Sequence, residues 1–284
     1  MSVVAKKEER MEIRNPEEIK EKIEKSKEII KEAYQKYGLK DMAVAFTGGK
    51  DSTLMLHIIA EACKEMGKDL PQQFCIDEGD VFDEIRDFIK ETDTIYGTKT
   101  EFLHNSDVSQ AAGGKLGAPV KVSDLNERNQ KEITRLEYDK DEFPYEPESY
   151  VGNHLMKTVS VNMYIDDKKI KAFFEGIRWD EQGARESEVY FSPREGNEFN
   201  LAHDRICPIL HFTEREVWEA HFYADIPINI LYQQGYRSLG ARVTTKKLTD
   251  VPAWLQDMEN TIERGGRRQD KEGVMGRLRK LGYM

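Results

Sequence analysis

Apolar residues first recur at helical spacing at Ile19, Ile23, Ile30 and Tyr34, and the pattern predicts a helix. Asn15-Pro16-Glu17-Glu18 supplies an N-cap, a proline at the first helical position and acidic residues in the first turn, while Gly38 follows as a stop. Met42 to Phe46 is a short apolar run that reads as a buried strand and leads straight into a Gly-Gly turn. Ser52 to Met66 then reads as a largely apolar helix. A second strand, Gln73 to Ile76, ends in Asp77-Glu78-Gly79-Asp80. Val81, Ile85, Phe88, Ile89 and Ile95 predict a helix from Val81 to Tyr96, and Thr100 to Leu103 a third strand. Strand, helix, strand, helix, strand is the signature of an α/β fold: a mostly parallel sheet flanked by helices.

From Asn105 to Tyr150 the pattern dissolves into Gly, Pro, Asp, Lys and Glu, which reads as a long surface loop near the active site. Order returns with a helix around Tyr150 to Tyr164 and a strand at Ile170 to Glu175. A loop-rich stretch from Gly176 to Arg205 follows. Cys207 to Phe212 leads to Thr213-Glu214-Arg215-Glu216, a capping box opening a helix with Val217, Trp218 and Phe222. The tail from Asp257 is strongly charged. The expected organisation is an N-terminal helix within 1–40 that packs on the domain, a nucleotide-binding domain over 41–240 with the insertion 105–150, and a charged C-terminal extension over 241–284.

Composition narrows the class. A chain of 284 residues with 38% hydrophobic content affords one large domain. The net charge of −10 disfavours a nucleic-acid partner but permits a local basic pocket. No apolar run is long enough for a membrane span, and the charged N-terminus lacks an apolar secretion segment, so a cytoplasmic protein is expected. Three cysteines (Cys63, Cys75, Cys207) without a close pair give no disulfide framework, zinc site or iron–sulfur cluster, and each reads as a packing residue.

The chemistry concentrates in Thr47-Gly48-Gly49-Lys50-Asp51-Ser52. Set between a strand and a helix, adjacent glycines can take positive φ and bring backbone N–H groups close to an anion. The helix adds unpaired amides and the positive end of its dipole. Thr47 and Ser52 add hydroxyls, and Lys50 a full charge. The bland alternative is a tight turn without a ligand. The spacing is neither that of a Walker loop nor that of a dinucleotide fingerprint.

The segment resembles the PP-loop of the ATP pyrophosphatases, usually Ser-Gly-Gly-x-Asp-Ser, with Thr47 at the first position. Three further stretches resemble the phosphoadenosine phosphosulfate (PAPS) reductases and the small subunit (subunit 2) of sulfate adenylyltransferase. These are Asp77 to Glu84, Glu175 to Glu181 with Arg185-Glu186, and Pro208 to Trp218 with Leu231-Tyr232 and Gly235 to Gly240. The tail, Glu263 to Asp270 with Gly273 and Leu281 to Met284, resembles the end of the sulfate adenylyltransferase subunit. The chain lacks the C-terminal cysteine with which reductases of this family attack sulfur, and Gly240-Ala241 stands where relatives carry Gly-Cys.

The resemblance implies an adenine nucleotide alpha hydrolase-like fold and transfer of an adenylyl group from ATP to sulfate with release of pyrophosphate. Lys50 and Arg178 are then catalytic, and Thr47, Gly48, Gly49, Asp51, Ser52, Asp77 and Gly176 bind the nucleotide. Arg185, Arg205 and Arg237 are candidates for the oxyanion, because guanidinium groups offer paired donors. Asp51 caps its helix or helps coordinate Mg²⁺, and Asp77 holds nucleotide or metal, or is an ordinary turn residue. His57, His154, His203 and His211 have no evident partner. Expected partners are ATP, sulfate, a GTPase regulatory subunit and further copies of the chain. Two alternatives remain: a reductase-like or sulfur-transfer enzyme that adenylates another acceptor, and a non-catalytic nucleotide-binding module.

Overall fold

The computed structural model describes residues 3–7, 9–181 and 185–267. Helix α1 (Pro16–Lys36) opens where Asn15 accepts a hydrogen bond from the Glu18 amide at 3.3 Å. Strand β1 (Met42–Ala45) enters the core and passes through the glycine turn into α2 (Lys50–Met66), which stops at Gly67 in the left-handed conformation. Strand β2 (Gln72–Ile76), helix α3 (Asp83–Tyr96) and strand β3 (Thr100–Leu103) complete the predicted alternation within two residues at each boundary.

Further along, β6 (Ala172–Phe174), β7 (Phe191–Arg194) and β8 (His203–Ile206) join the same sheet, in the order β3-β2-β1-β6-β8-β7. All pairings are parallel except β7 with β8. The stretch read as loop from Gly176 to Arg205 therefore holds one strand and most of another. Short, mixed-polarity sequences such as Phe-Ser-Pro-Arg and His-Asp-Arg-Ile hide that, because an edge pair is stabilised by its ladder rather than by apolar content. Cys207 lies one residue past β8 and is buried.

Alternation sorts the central strands onto two faces. Met42, Val44, Cys75, Ala172 and Phe174 join one cluster with α1, α2, α3 and α8 (Glu214–Tyr223), while Ala43, Phe74 and Phe173 join another with Tyr164 and Ile165 of α7 (Ser160–Lys168). The period-2 rule thus gives a sheet covered by helices on both sides. The capping box at the head of α8 forms as expected: the Thr213 amide donates to Glu216 at 2.7 Å, and the Glu216 amide to the Thr213 hydroxyl at 3.4 Å. Among the described residues no helix is long and apolar enough to cross a membrane.

Residues 105–150 are built rather than loop-like. They contain α4 (Ser106–Ala111), an antiparallel pair β4 (Pro119–Lys121) and β5 (Glu142–Pro144), and α5 (Glu127–Arg135). Val108, Val120, Leu125, Ile133 and Phe143 form a buried cluster with Val151, Leu155 and Val159 from α6 (Tyr150–Asn153) and the π-helical segment His154–Val159 that links α6 to α7. The apolar residues are too sparse along the chain to show periodicity, yet they converge in space. Phe143→Ala should therefore lower the unfolding free energy by roughly 3–5 kcal/mol. Ile95→Ala should change it by less than about 0.5 kcal/mol, because Ile95 is 55% exposed despite its helical spacing. Urea unfolding of the two variants checks both.

Candidate functional site

Chain order reverses between β1 and β6, which are adjacent in the sheet but distant in sequence. Ligands of open α/β sheets bind at the carboxyl ends of the strands flanking such a switch point. Here those ends carry Thr47 to Ser52 and Glu175 to Asp180. Gly48 has φ +69, whereas Gly49, the residue preceding α2, has φ −83, so only the first glycine adopts the left-handed conformation anticipated for both. Gly176 is tightly packed: a Cβ there would stand 3.0 Å from the Ser52 amide nitrogen. The loop braces itself, with the Thr47 amide donating to Ser52 Oγ at 3.3 Å and the Thr53 hydroxyl to the Gly49 carbonyl at 2.8 Å.

Two cations lie at the head of α2. Lys50 is 3% and Arg178 0% exposed. Lys50 Nζ donates to Asp51 Oδ2 at 3.0 Å and to Glu263 Oε1. Arg178 reaches Asp51 Oδ1 through Nη1, Asp180 Oδ1 at 2.8 Å through Nε, and Glu263 Oε2 at 2.5 Å through Nη2. Burial opposes the charge on Lys50, but Asp51 and Glu263 more than offset it and raise its pKa. Burial likewise opposes ionisation of Asp51 and Glu263, and the two cations overcome it, holding both carboxyls below their ordinary values. All four groups are therefore charged near neutral pH. Isolated buried charges are costly, so the cluster persists because each member is paired.

A second layer fixes this cluster. The Lys50 amide donates to Tyr232 Oη at 2.9 Å, and the Lys50 carbonyl lies 2.8 Å from His221 Nε2, with Trp218 packed against both rings. Burial lowers the His221 pKa to about 4, so its neutral ring donates to that carbonyl. Asp180, which holds Arg178, also accepts the Glu214 amide at 2.8 Å at the start of α8. Glu214 in turn accepts from Arg237 Nε and Nη2 at 2.9 and 2.7 Å. Arg237 Nη1 donates to Thr261 Oγ1 and, at 3.3 Å, to the Asp257 carbonyl, tying down the segment that carries Glu263.

The predicted residues thus divide. Thr47, Gly48, Gly49, Lys50, Asp51, Ser52, Gly176 and Arg178 converge. Asp51 does not cap its helix, since α2 has no side-chain cap, and both Asp51 oxygens pair with cations. Among the described residues no group of three or more His, Cys, Asp or Glu side chains is arranged to hold a metal. Asp77 closes a turn, accepting from the Gly79 amide at 3.0 Å and from Arg86 Nη2 at 2.7 Å. Arg185 pairs with Glu181, Arg205 lies over the Phe173 ring 3.9 Å from Glu175, and Arg237 acts as the clamp above.

Histidines without an evident partner in sequence have one in space: His57 with Tyr96 at 2.9 Å, His154 with Glu132 at 2.8 Å, His203 with the Leu201 carbonyl at 3.0 Å and His211 with the Lys22 carbonyl at 3.0 Å. Sequence reading missed roles for Asp180, Glu214, His221, Tyr232 and Glu263. All but His221 lie in segments that the resemblance had singled out, but their pairing emerges only through the fold. The tail residues Arg268 to Asp270, Gly273 and Leu281 to Met284 lie outside the described residues.

Comparison with known proteins adds a family. A family model described as the phosphoadenosine phosphosulfate reductase domain matches residues 41–247. A PAPS reductase of Xanthomonas euvesicatoria pv. vesicatoria is 28% identical over 95 residues, 34% of this chain and 37% of the relative. A probable FAD synthase of Caenorhabditis elegans is 26% identical over 243 residues, 82% of this chain and 36% of the relative. The chain thus spans little more than a third of the length of these curated relatives. Among solved structures, Candida glabrata FMN adenylyltransferase with FAD and inorganic pyrophosphate superposes with TM-score 0.59 at 19% identity, covering 93% of this chain and 80% of the other. The PAPS reductase of Candida auris superposes with TM-score 0.54 at 14% identity, covering 78% and 90%. At these identities the superpositions establish the fold alone.

His221 gives the site a pH signature. A base whose folded pKa falls from 6.5 to about 4 favours the native state above pH 6.5, and that contribution is lost as pH drops towards 4. The full shift corresponds to about 3 kcal/mol. Urea unfolding at pH 7 and pH 5 should show a steeper loss in the parent than in His221→Gln; parallel losses would contradict the role given to this ring.

Proposed function

The chain belongs to the phosphoadenosine phosphosulfate reductase domain family, and on that premise we propose that it transfers the adenylyl group of ATP to an anionic acceptor, releasing pyrophosphate. One observation carries the reading: two buried cations, Lys50 and Arg178, lie together at the N-terminal end of α2, where both pair with the carboxylates of Asp51 and Glu263. That is the arrangement a leaving pyrophosphate needs, since its charge grows as the bond between the α- and β-phosphates breaks. The acceptor oxygen attacks the α-phosphorus in line and forms the new P–O bond, and the bridging electrons leave with the β-phosphate. An ionised acceptor requires no proton transfer, which agrees with a site whose nearest histidine, His221, is neutral and bonded to backbone.

Two acceptor classes follow from different observations. The order of the matched segments supports sulfate, with the GTPase subunit that the resemblance implies driving the uphill step. The FAD synthase relative, matched over 82% of this chain, supports the phosphate of a flavin mononucleotide. The relatives that are reductases raise a third chemistry, thiol attack on a sulfonyl group. Against it stand the three cysteines of the sequence, all buried. Burial raises the pKa of each, Cys75 to about 12, so a reactive thiolate is disfavoured.

Incubation with ATP and either sulfate, FMN or no acceptor, followed by measurement of pyrophosphate and adenylylated product, tests the proposal. Acceptor-dependent pyrophosphate release is expected, and sulfite formed from PAPS with a dithiol would favour the reductase chemistry instead. Nucleotide binding without turnover on any acceptor would leave a non-catalytic module. Lys50→Ala should lower kcat/KM roughly 100- to 1000-fold, as for other preorganised donors to developing charge. A variant as active as the parent would remove Lys50 from the reaction.

A further inference from the structure

The anion that sits between Lys50 and Arg178 belongs to the chain itself. Glu263 stands 213 residues from Lys50 and 85 from Arg178, yet its two carboxylate oxygens are divided between them. The segment bearing it is held at several points. Arg237 and Glu214 fix Thr261, and Arg264 Nη1 donates to Glu181 Oε1 at 2.9 Å. The Lys246 amide donates to the Gly266 carbonyl at 2.8 Å. Glycine is obligatory at 266 because a Cβ would come within 2.1 Å of the Lys246 carbonyl oxygen. None of these latches uses the phosphate loop, so the segment is seated from outside and only Glu263 enters.

We propose that residues 257–267 form a strap whose Glu263 carboxylate occupies the oxyanion seat in the free protein, so that a polyphosphate binds only by displacing it. This rests on the reading of the loop as a polyphosphate seat. Asp51 and Glu263 already balance the two cations, and a phosphate would need the Lys50 Nζ and Arg178 Nη2 donors that Glu263 holds, so occupation of those donors by Glu263 and by a phosphate exclude each other. Exclusion of this kind reduces the apparent affinity by the fraction of molecules in which the seat is open. It also keeps both cations compensated until a ligand arrives.

Calorimetric titration of the full chain with inorganic pyrophosphate tests the strap. In Glu263→Gln the side chain keeps its shape and loses its charge, and pyrophosphate should bind about 10-fold more tightly or better, as for a seat about nine-tenths occluded in the parent. Should that variant fail to fold, Gly266→Ala decides: it unseats the strap at Lys246 without touching the cradle, and tighter binding is again expected. Hydrogen exchange adds a readout on the parent, in which saturating pyrophosphate should speed exchange of the amides of residues 258–267. Unchanged or weaker binding in the deciding variant, added protection of those amides, or no binding by any of these proteins overturns the proposal. Tighter binding without ATP turnover on any acceptor would sink adenylyl transfer and leave the strap. Turnover without tighter binding does the reverse.

Discussion

Lys50 and Arg178 place two full positive charges almost out of solvent at the head of a helix whose dipole is positive at the same end. Nothing in the hydrophobic core can compensate them. The surrounding structure is organised by that constraint: Asp51 faces both cations from the helix itself, Asp180 holds Arg178 from the next loop, and Glu263 arrives from the tail. Each carboxylate supplies what the helix end cannot. The cluster this creates calls for anionic partners, because a neutral group in place of a carboxylate would leave charge uncompensated.

The second layer turns charge compensation into geometry. Tyr232 and His221 fix the amide and the carbonyl of Lys50, so the backbone of the loop is held from behind by groups that carry no charge themselves. Glu214 and Arg237 then connect the head of α8 to the tail. Four segments distant in sequence thereby share one cluster. The insertion contributes elsewhere: a Cβ on Gly79 would come within 2.6 Å of Tyr145 Oη, and Lys157 Nζ lies 2.6 Å from Glu78 Oε2. The turn after β2 is shaped by residues 145–157 rather than by the loop near Lys50.

The relatives of this chain carry the names of different enzymes, PAPS reductase and FAD synthase. In this chain the three cysteines are buried, with thiol pKa values raised by burial, while Lys50 and Arg178 are held charged by their carboxylate partners. Functional identity in such a fold is therefore carried by the groups brought to the strand ends, not by the sheet.

Local rules sufficed for the parts of this protein governed by neighbours in sequence. The helix at Pro16, the strand–glycine–helix unit, the capping box at Thr213 and the alternating sheet elements were legible because caps, turns and periodicity act over a few residues. The insertion was not, since its apolar residues meet only after two strands and two helices are assembled. The arginines separated for the same reason: Arg178, Arg185, Arg205 and Arg237 look alike in sequence, but each finds a different carboxylate. The sequence by itself determined the loop, its lysine and the α/β frame. Only the tertiary structure decided that Glu263 pairs with Lys50 and Arg178 and that Arg237 holds the segment bearing it, because buried charges choose partners by proximity in space.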